Sequence, residues 1–275
     1  MKDNYSTIDV QNIDGVATIT INNPPVNVLD VKLMNDIQYF LTDIRNDDKT
    51  KVIVFQSANP ELFIAHVDMK LIDEPHVLDE LAKNVPEGLN PFQAFAEMIR
   101  HQPQVTIVKL QGFARGGGAE FVAAVDMSFA AIDGSGLAQC EALMGIIPGG
   151  GATQYLSQRM TRGRALEVVL GADLIDAKTA EKYGWINRAL PNHELDAFVQ
   201  RLACNIATLP DGIIAAAKNA IPAEDLTNGF VRESNEWARL FIQPVAEKLI
   251  REGLNNGAQT IYGERNLEQL LRDQL

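Results

Sequence analysis

Two glutamates, a glycine-rich turn and a histidine-bearing loop are the parts of this chain whose residue types and spacing suit chemistry. Glu120 closes the run Gly112-Phe113-Ala114-Arg115-Gly116-Gly117-Gly118-Ala119-Glu120, and the residues after it, Phe121 to Val125, are all apolar. A carboxylate buried in such surroundings has a raised pKa unless it is paired or hydrogen-bonded. A glutamate in the first turn of a helix is equally at home against the helix dipole. Glu141 lies between Cys140 and the run Ala142-Leu143-Met144-Gly145-Ile146-Ile147, either as a cap or as a second acid. Two glutamates brought to one pocket would make an acid–base pair able to handle a water molecule.

The glycines before Glu120 let the backbone turn sharply and approach a ligand without a Cβ in the way. The first amides of the helix that follows have no intrahelical partner and can point at an anion. The segment Phe63-Ile64-Ala65-His66-Val67-Asp68 precedes a short helix and offers a second amide. Ala65 and Gly117 together would form a two-donor oxyanion hole. His66 reads as a ligand, an acid–base group or a loop residue held by local hydrogen bonds. No metal-ligand spacing of His, Cys and acids is present. Gly149-Gly150-Gly151 lacks the Lys-Ser/Thr of a phosphate loop.

These groups need a frame. Tyr5 to Val10 and Val16 to Ile21 alternate around Asp14-Gly15, a hairpin signal. Asp30 caps a helix marked by Leu33, Met34, Ile37, Phe40, Leu41 and Ile44. Lys51 to Phe55, Gln104 to Leu110, Met127 to Ile132 and Trp185 to Leu190 read as strands. Ser57 to Val67 reads as a loop, and Asp68 caps a short helix. Asp73 to Asn90 reads as a variable loop or lid. Asn90-Pro91 starts a helix that ends at Pro103. Gly118 to Asp126 and Ala152 to Met160 are helical. Asp176 to Tyr183 is a helix stopped by Gly184. From His193 onward the pattern is helical only, which divides the chain into an α/β part, 1–192, and a helical part, 193–275.

The 275 residues carry 36 acids against 24 Lys and Arg, a net charge of −12. That argues against nucleic acid as a main partner, since phosphate binding needs a basic patch. The two cysteines, Cys140 and Cys204, offer no disulfide framework. The N-terminus has no apolar leader, and no run approaches the ~20 apolar residues of a membrane helix. A soluble protein of a reducing compartment, the cytoplasm, is expected, with no membrane partner.

Four segments resemble the enoyl-CoA hydratase/isomerase (crotonase) family: Asn23 to Leu29, Phe63 to Lys70, Gly112 to Glu120, and Glu141 with Gly145 to Gln154. The similarity runs through residues 5 to about 190 and continues more weakly into the tail. It implies a spiral of ββα units with a C-terminal helical region that packs subunits as homotrimers, often paired into homohexamers. It implies coenzyme A thioester substrates, with coenzyme A part of the substrate and no separate cofactor. By the same resemblance Ala65 and Gly117 match the two oxyanion amides, Glu120 and Glu141 the two acids, and Ala65, His66, Val67 and Asp68 the loop lining the acyl-CoA site. His66 and Val67 stand where the family usually has glycine and alanine. Pro25 replaces a basic residue near the CoA phosphates, and Gln259 to Arg265 replaces the common tail. Reversible hydration of a trans-2-enoyl-CoA is the expected activity. Isomerisation or another enolate reaction (dehalogenation, decarboxylation, hydrolysis) is the alternative, and a crotonase-fold binding protein without turnover is a third reading.

Overall fold

The computed structural model describes residues 5–83 and 85–275. The chain opens with the expected hairpin, β1 (Ile8–Ile13) and β2 (Val16–Ile21), turning at Asp14 and Gly15, both at positive φ. The helix α1 (Val31–Ile44) follows, and the Asp30 carboxylate accepts the Leu33 N–H at 2.8 Å, a side-chain N-cap.

From there the chain winds so that each turn gives one strand to each of two sheets. β3 (Val52–Ser57) is followed by β4 (Leu62–Ile64), the helices α2 (Pro75–Ala82) and α3 (Pro91–Arg100). β5 (Val105–Leu110) is followed by β6 (Phe113–Arg115) and α4 (Gly117–Ala124). β7 (Met127–Ala131) is followed by β8 (Gly136–Ala138), α5 (Ala152–Arg159) and α6 (Arg162–Gly171). β9 (Ile175–Asp176), α7 (Ala177–Tyr183) and β10 (Arg188–Leu190) close the series. The larger sheet has the order β1-β2-β3-β5-β7-β10 and is parallel beyond the first hairpin; the smaller has the order β4-β6-β8-β9. This is the expected ββα spiral.

Some expectations change. The segment 57–67 contains β4, the glycine turn contains β6, and β8 follows β7 where no strand was expected. A three-residue strand is too short to show a period of two. The stretch 73–90 is partly helical, as α2, and α6 had no expected counterpart.

Parallel strands need cover on both faces. On one face Phe121 of α4 sits among Phe55, Phe63 and Phe95, with ring centroids 4.9, 5.8 and 6.1 Å away. On the other, α8 (Asn192–Ala207) lays Leu195, Val199 and Ala203 on Val52, Val54, Ile107 and Phe129. The helical run that starts at α8 therefore begins as part of the sheet's own cover. The later helices α9 (Ile213–Ala220), α10 (Thr227–Phe241), α11 (Pro244–Asn255), α12 (Ile261–Glu264) and α13 (Leu267–Arg272) complete the chain. Ala246, Ile250, Leu267 and Leu271 from these helices pack on Met69, Cys140, Leu143 and Met144.

Asn27 ties the spiral together below the site. It is buried, at φ 53°, and its side chain donates to Ser57 Oγ at 2.9 Å and the Phe63 carbonyl at 3.1 Å while accepting from Asn23 N–H at 2.8 Å. Asn27→Ala leaves those groups without their partners and puts an ordinary residue at positive φ. We expect a loss of roughly 2–4 kcal/mol in urea unfolding; a loss under 0.5 kcal/mol would show that Asn27 does not hold the crossing.

Candidate active site

All eight residues of α4 are buried, so the helix has no solvent face and must be anchored at its ends. At its C-terminus Arg159 donates to the carbonyls of Ala123 and Val125 at 2.7 and 2.9 Å, a cation against the negative end of the helix. At its N-terminus Gly116 turns the chain at φ 46° and Gly117 begins the helix. A Cβ on Gly117 would lie 2.6 Å from Val67 Cγ2 and 3.6 Å from Val67 N. Only glycine allows the helix start and the loop after β4 to come this close.

A cavity of about 700 Å³, counted with its open mouth, lies at that junction. His66, Val67, Asp68, Gly116, Gly117, Glu120 and Glu141 line it, and Leu71, Ile72, Met144, Ile146, Trp237 and Phe241 make much of the rest apolar. The structure thus gathers Gly117, Glu120 and Glu141, which are separated in sequence, at one opening.

Ala65 does not reach it. Its side chain is fully buried in a small cluster with Val26 and Leu62, and the chain enters the cavity lining only at His66. Of the two residues, Val67 lines the cavity and Ala65 does not. Leu29 bridges Val67 through the His66 carbonyl (2.8 Å) and the Asp68 N–H (3.2 Å). In such a parallel bridge the middle residue's own N–H and C=O face away from Leu29. The Val67 N–H has no acceptor among the described residues. The Gly117 N–H, in the first turn of α4, has no intrahelical one.

Glu120 is 4% exposed and Glu141 7%. Glu120 Oε1 accepts the N–H groups of Gly150 (2.7 Å) and Ala152 (3.1 Å) at the start of α5. A Cβ on Gly150 would fall on that carboxylate, which explains the glycine. Burial, then the nearby Glu141 and Glu233, push the Glu120 carboxyl well above the usual carboxylate range, against the pull of those two N–H bonds. Burial also pushes Glu141 up, to about 7, although the positive His66 draws it down. The Gln139 amide, turned to suit its neighbours, puts its nitrogen 3.1 and 3.2 Å from the two Glu141 oxygens. Both carboxyls are pushed up in one cavity, and the Glu141 charge adds to the push on Glu120.

Glu233, on α10, had no sequence signal. It is 3% exposed and accepts from Gly151 N–H (2.7 Å), Thr153 N–H (2.9 Å), the Thr153 hydroxyl and Gln93 Nε2 (3.0 Å). It fixes the loop whose next amides hold Glu120. Asn90, which caps α3, also donates to the Gly149 carbonyl at 2.7 Å.

His66 is not an acid–base group facing the cavity. Its Nδ1 lies 2.7 Å from the Val67 carbonyl and its Nε2 3.0 Å from Glu264 Oε1, so both ring nitrogens are engaged. Asp68 caps the 3-10 turn Met69–Asp73 through the Lys70 N–H (3.0 Å) and accepts from Gln259 Nε2 at 2.8 Å. No cluster of three His, Cys, Asp or Glu able to hold a metal ion occurs among the described residues. No described helix is long and apolar enough to cross a membrane.

The spiral and its glutamate-bearing cavity define a crotonase-fold protein. The family model for enoyl-CoA hydratase/isomerase matches residues 11–261, and the chain belongs to that family. Among solved structures it is similar to a Streptomyces avermitilis protein described as a "putative enoyl-CoA hydratase", at 58% identity over 98% of each chain with a TM-score of 0.97. An enoyl-CoA hydratase from Bacillus anthracis superposes with a TM-score of 0.71 at 28% identity, covering 91% of this chain and 95% of that one. The human mitochondrial methylglutaconyl-CoA hydratase is 30% identical over 252 residues, 87% of this chain and 70% of the relative.

Replacing Glu233 by Gln turns an acceptor of four donors into an amide that competes with them. We expect a loss of about 2 kcal/mol or more in denaturant unfolding. Removing its negative charge should also lower the Glu120 titration, which moves the pH–rate profile toward acid. An unmoved profile would separate Glu233 from the pair.

Proposed function

We propose that this protein adds water reversibly across the double bond of a trans-2-enoyl-CoA. The observation that carries the reading is the pair Glu120 and Glu141, buried together beside two unclaimed backbone N–H groups. The thioester oxygen accepts from Val67 N–H and Gly117 N–H. That draws electron density from the β-carbon. A water held between the glutamates puts its OH on the β-carbon and gives a proton to the ionised carboxylate. The charge collects on the enolate oxygen, where fixed donors act in a site with little water; one such donor is worth about 10²–10³ in rate. The protonated carboxyl supplies the α-carbon with its proton, and the pair ends with one proton as it began. A double-bond shift needs one group to carry a proton; addition of water uses both, and both are present.

The apolar lining supports an aliphatic or aromatic acyl group. The cation in the lining, His66, spends both nitrogens on protein oxygens, which weighs against an acyl group bearing a second carboxylate. Coenzyme A is part of the substrate, and the mechanism invokes no other cofactor.

Purified protein with crotonyl-CoA or a longer 2-enoyl-CoA should lose the conjugated thioester absorbance. Glu120→Gln and Glu141→Gln should each reduce the rate by about 10²–10⁴ with circular dichroism unchanged. Retained double-bond products, identified by mass spectrometry, would replace hydration with isomerisation. The rate should follow a bell in pH. Its acid limb, near 7, marks ionisation of the first carboxyl of the pair, and its alkaline limb lies higher, where the second proton is lost. A rate flat from pH 5 to 9 would speak against a proton-sharing pair.

The same reading includes homotrimers or homohexamers. Exposed Ile221, Ile242, Val245 and Tyr262 in the C-terminal region support it. Light scattering should give three or six times the chain mass; a monomer at micromolar concentration would reject it.

A further inference from the structure

We propose that His66 and Glu264 are positioning residues for the polarising site, and that the C-terminal segment from Gln259 to Glu268 completes that site from the same chain. This inference rests on the hydratase reading and names part of its machinery.

The Val67 carbonyl can only accept a hydrogen bond, so His66 Nδ1 carries a proton. The Glu264 carboxylate also accepts, so Nε2 carries one too. His66 is thus held as an imidazolium against Glu264, the two side chains 3% and 0% exposed. Its charge is not isolated. Glu264 Oε1 also takes the Gln259 N–H at 2.8 Å. Glu264 Oε2 faces Arg115 Nη1 at 3.6 Å, close enough for attraction and too long for a hydrogen bond. Arg115 turns its Nε and Nη2 to Glu268 at 2.6 and 3.2 Å. Positive and negative charges alternate along His66, Glu264, Arg115 and Glu268, so the buried set is neutral as a whole. Burial would push His66 down, but the Glu264 charge and the bonds to Glu264 and Val67 outweigh it and push His66 up.

The consequence falls on one peptide. Val67, the donor in the proposed function, has its carbonyl gripped by His66. Asp68, next along, is gripped by Gln259 Nε2. The tail therefore holds the loop on both sides of the donor. The imidazolium also places a positive charge next to the Val67 amide, where the enolate oxygen gains negative charge.

The test uses a chromophoric cinnamoyl-CoA carrying a para-dimethylamino group, whose absorbance moves to the red when its carbonyl is polarised. Bound to the wild-type full chain it should show a large red shift. His66→Asn and Glu264→Gln should lose at least half of that shift and tenfold or more in kcat, with KM changed less than threefold. Glu264→Asp should regain part of both. Should Glu264→Gln fail to fold, Gln259→Ala removes only the bond to Asp68 and should lower the shift and kcat two- to fivefold. A full wild-type shift in the folded variants would overturn the inference and leave the hydratase reading standing. A wild-type protein that neither binds nor shifts the thioester would overturn both.

Discussion

The structure depends on the cost of burying ionisable carboxyls in an apolar cavity. Glu120 stands on a helix with no solvent face, and Glu141 stands beside it with 7% exposure. Among the described residues, Gln139 alone offers them a side-chain hydrogen-bond donor. Backbone takes the place of water instead. The first amides of α5 point at Glu120 and Glu233, so one helix start holds two carboxylates. These amides exist because helix geometry leaves the first N–H groups without partners. The glycines of 149–151 let them approach.

The C-terminal helices serve this arrangement as much as they extend the fold. Glu233 comes from α10 and Glu264 from α12, and Trp237 and Phe241 line the cavity from α10. The protein thus builds its site between a rigid sheet-backed helix, α4, and a cover contributed much later in the chain. Charges that would be costly alone are set in pairs and bonded to fixed donors. Burial pushes the carboxyls above their ordinary range, and the bonds to fixed donors hold that rise in check.

Much of this was readable in the residues. Glu120 and Glu141 were marked by acids set into apolar runs, Gly117 by the glycine turn before a helix, and α1 and α3 by Asp30 and Asn90 as caps. These are local signals, and each is decided by neighbours within four or five positions. The strands β4, β6 and β8 were not readable, because three residues carry no period. Glu233 and Glu264 looked like ordinary helix-surface acids, since their partners lie 80 and 198 positions away.

Sequence by itself determined the α/β class, the two acids and the glycine start of α4, because caps, turns and periodicity are short-range physics. Tertiary structure decided which part of the 63–68 loop packs beside Gly117. Ala65 and Val67 share one loop and differ by two positions, but Ala65 packs with Val26 and Leu62 while Val67 meets the α4 N-terminus. Tertiary structure also decided the state of His66. A histidine's charge follows the oxygens placed around its two nitrogens, and one of those oxygens arrives from the far end of the chain.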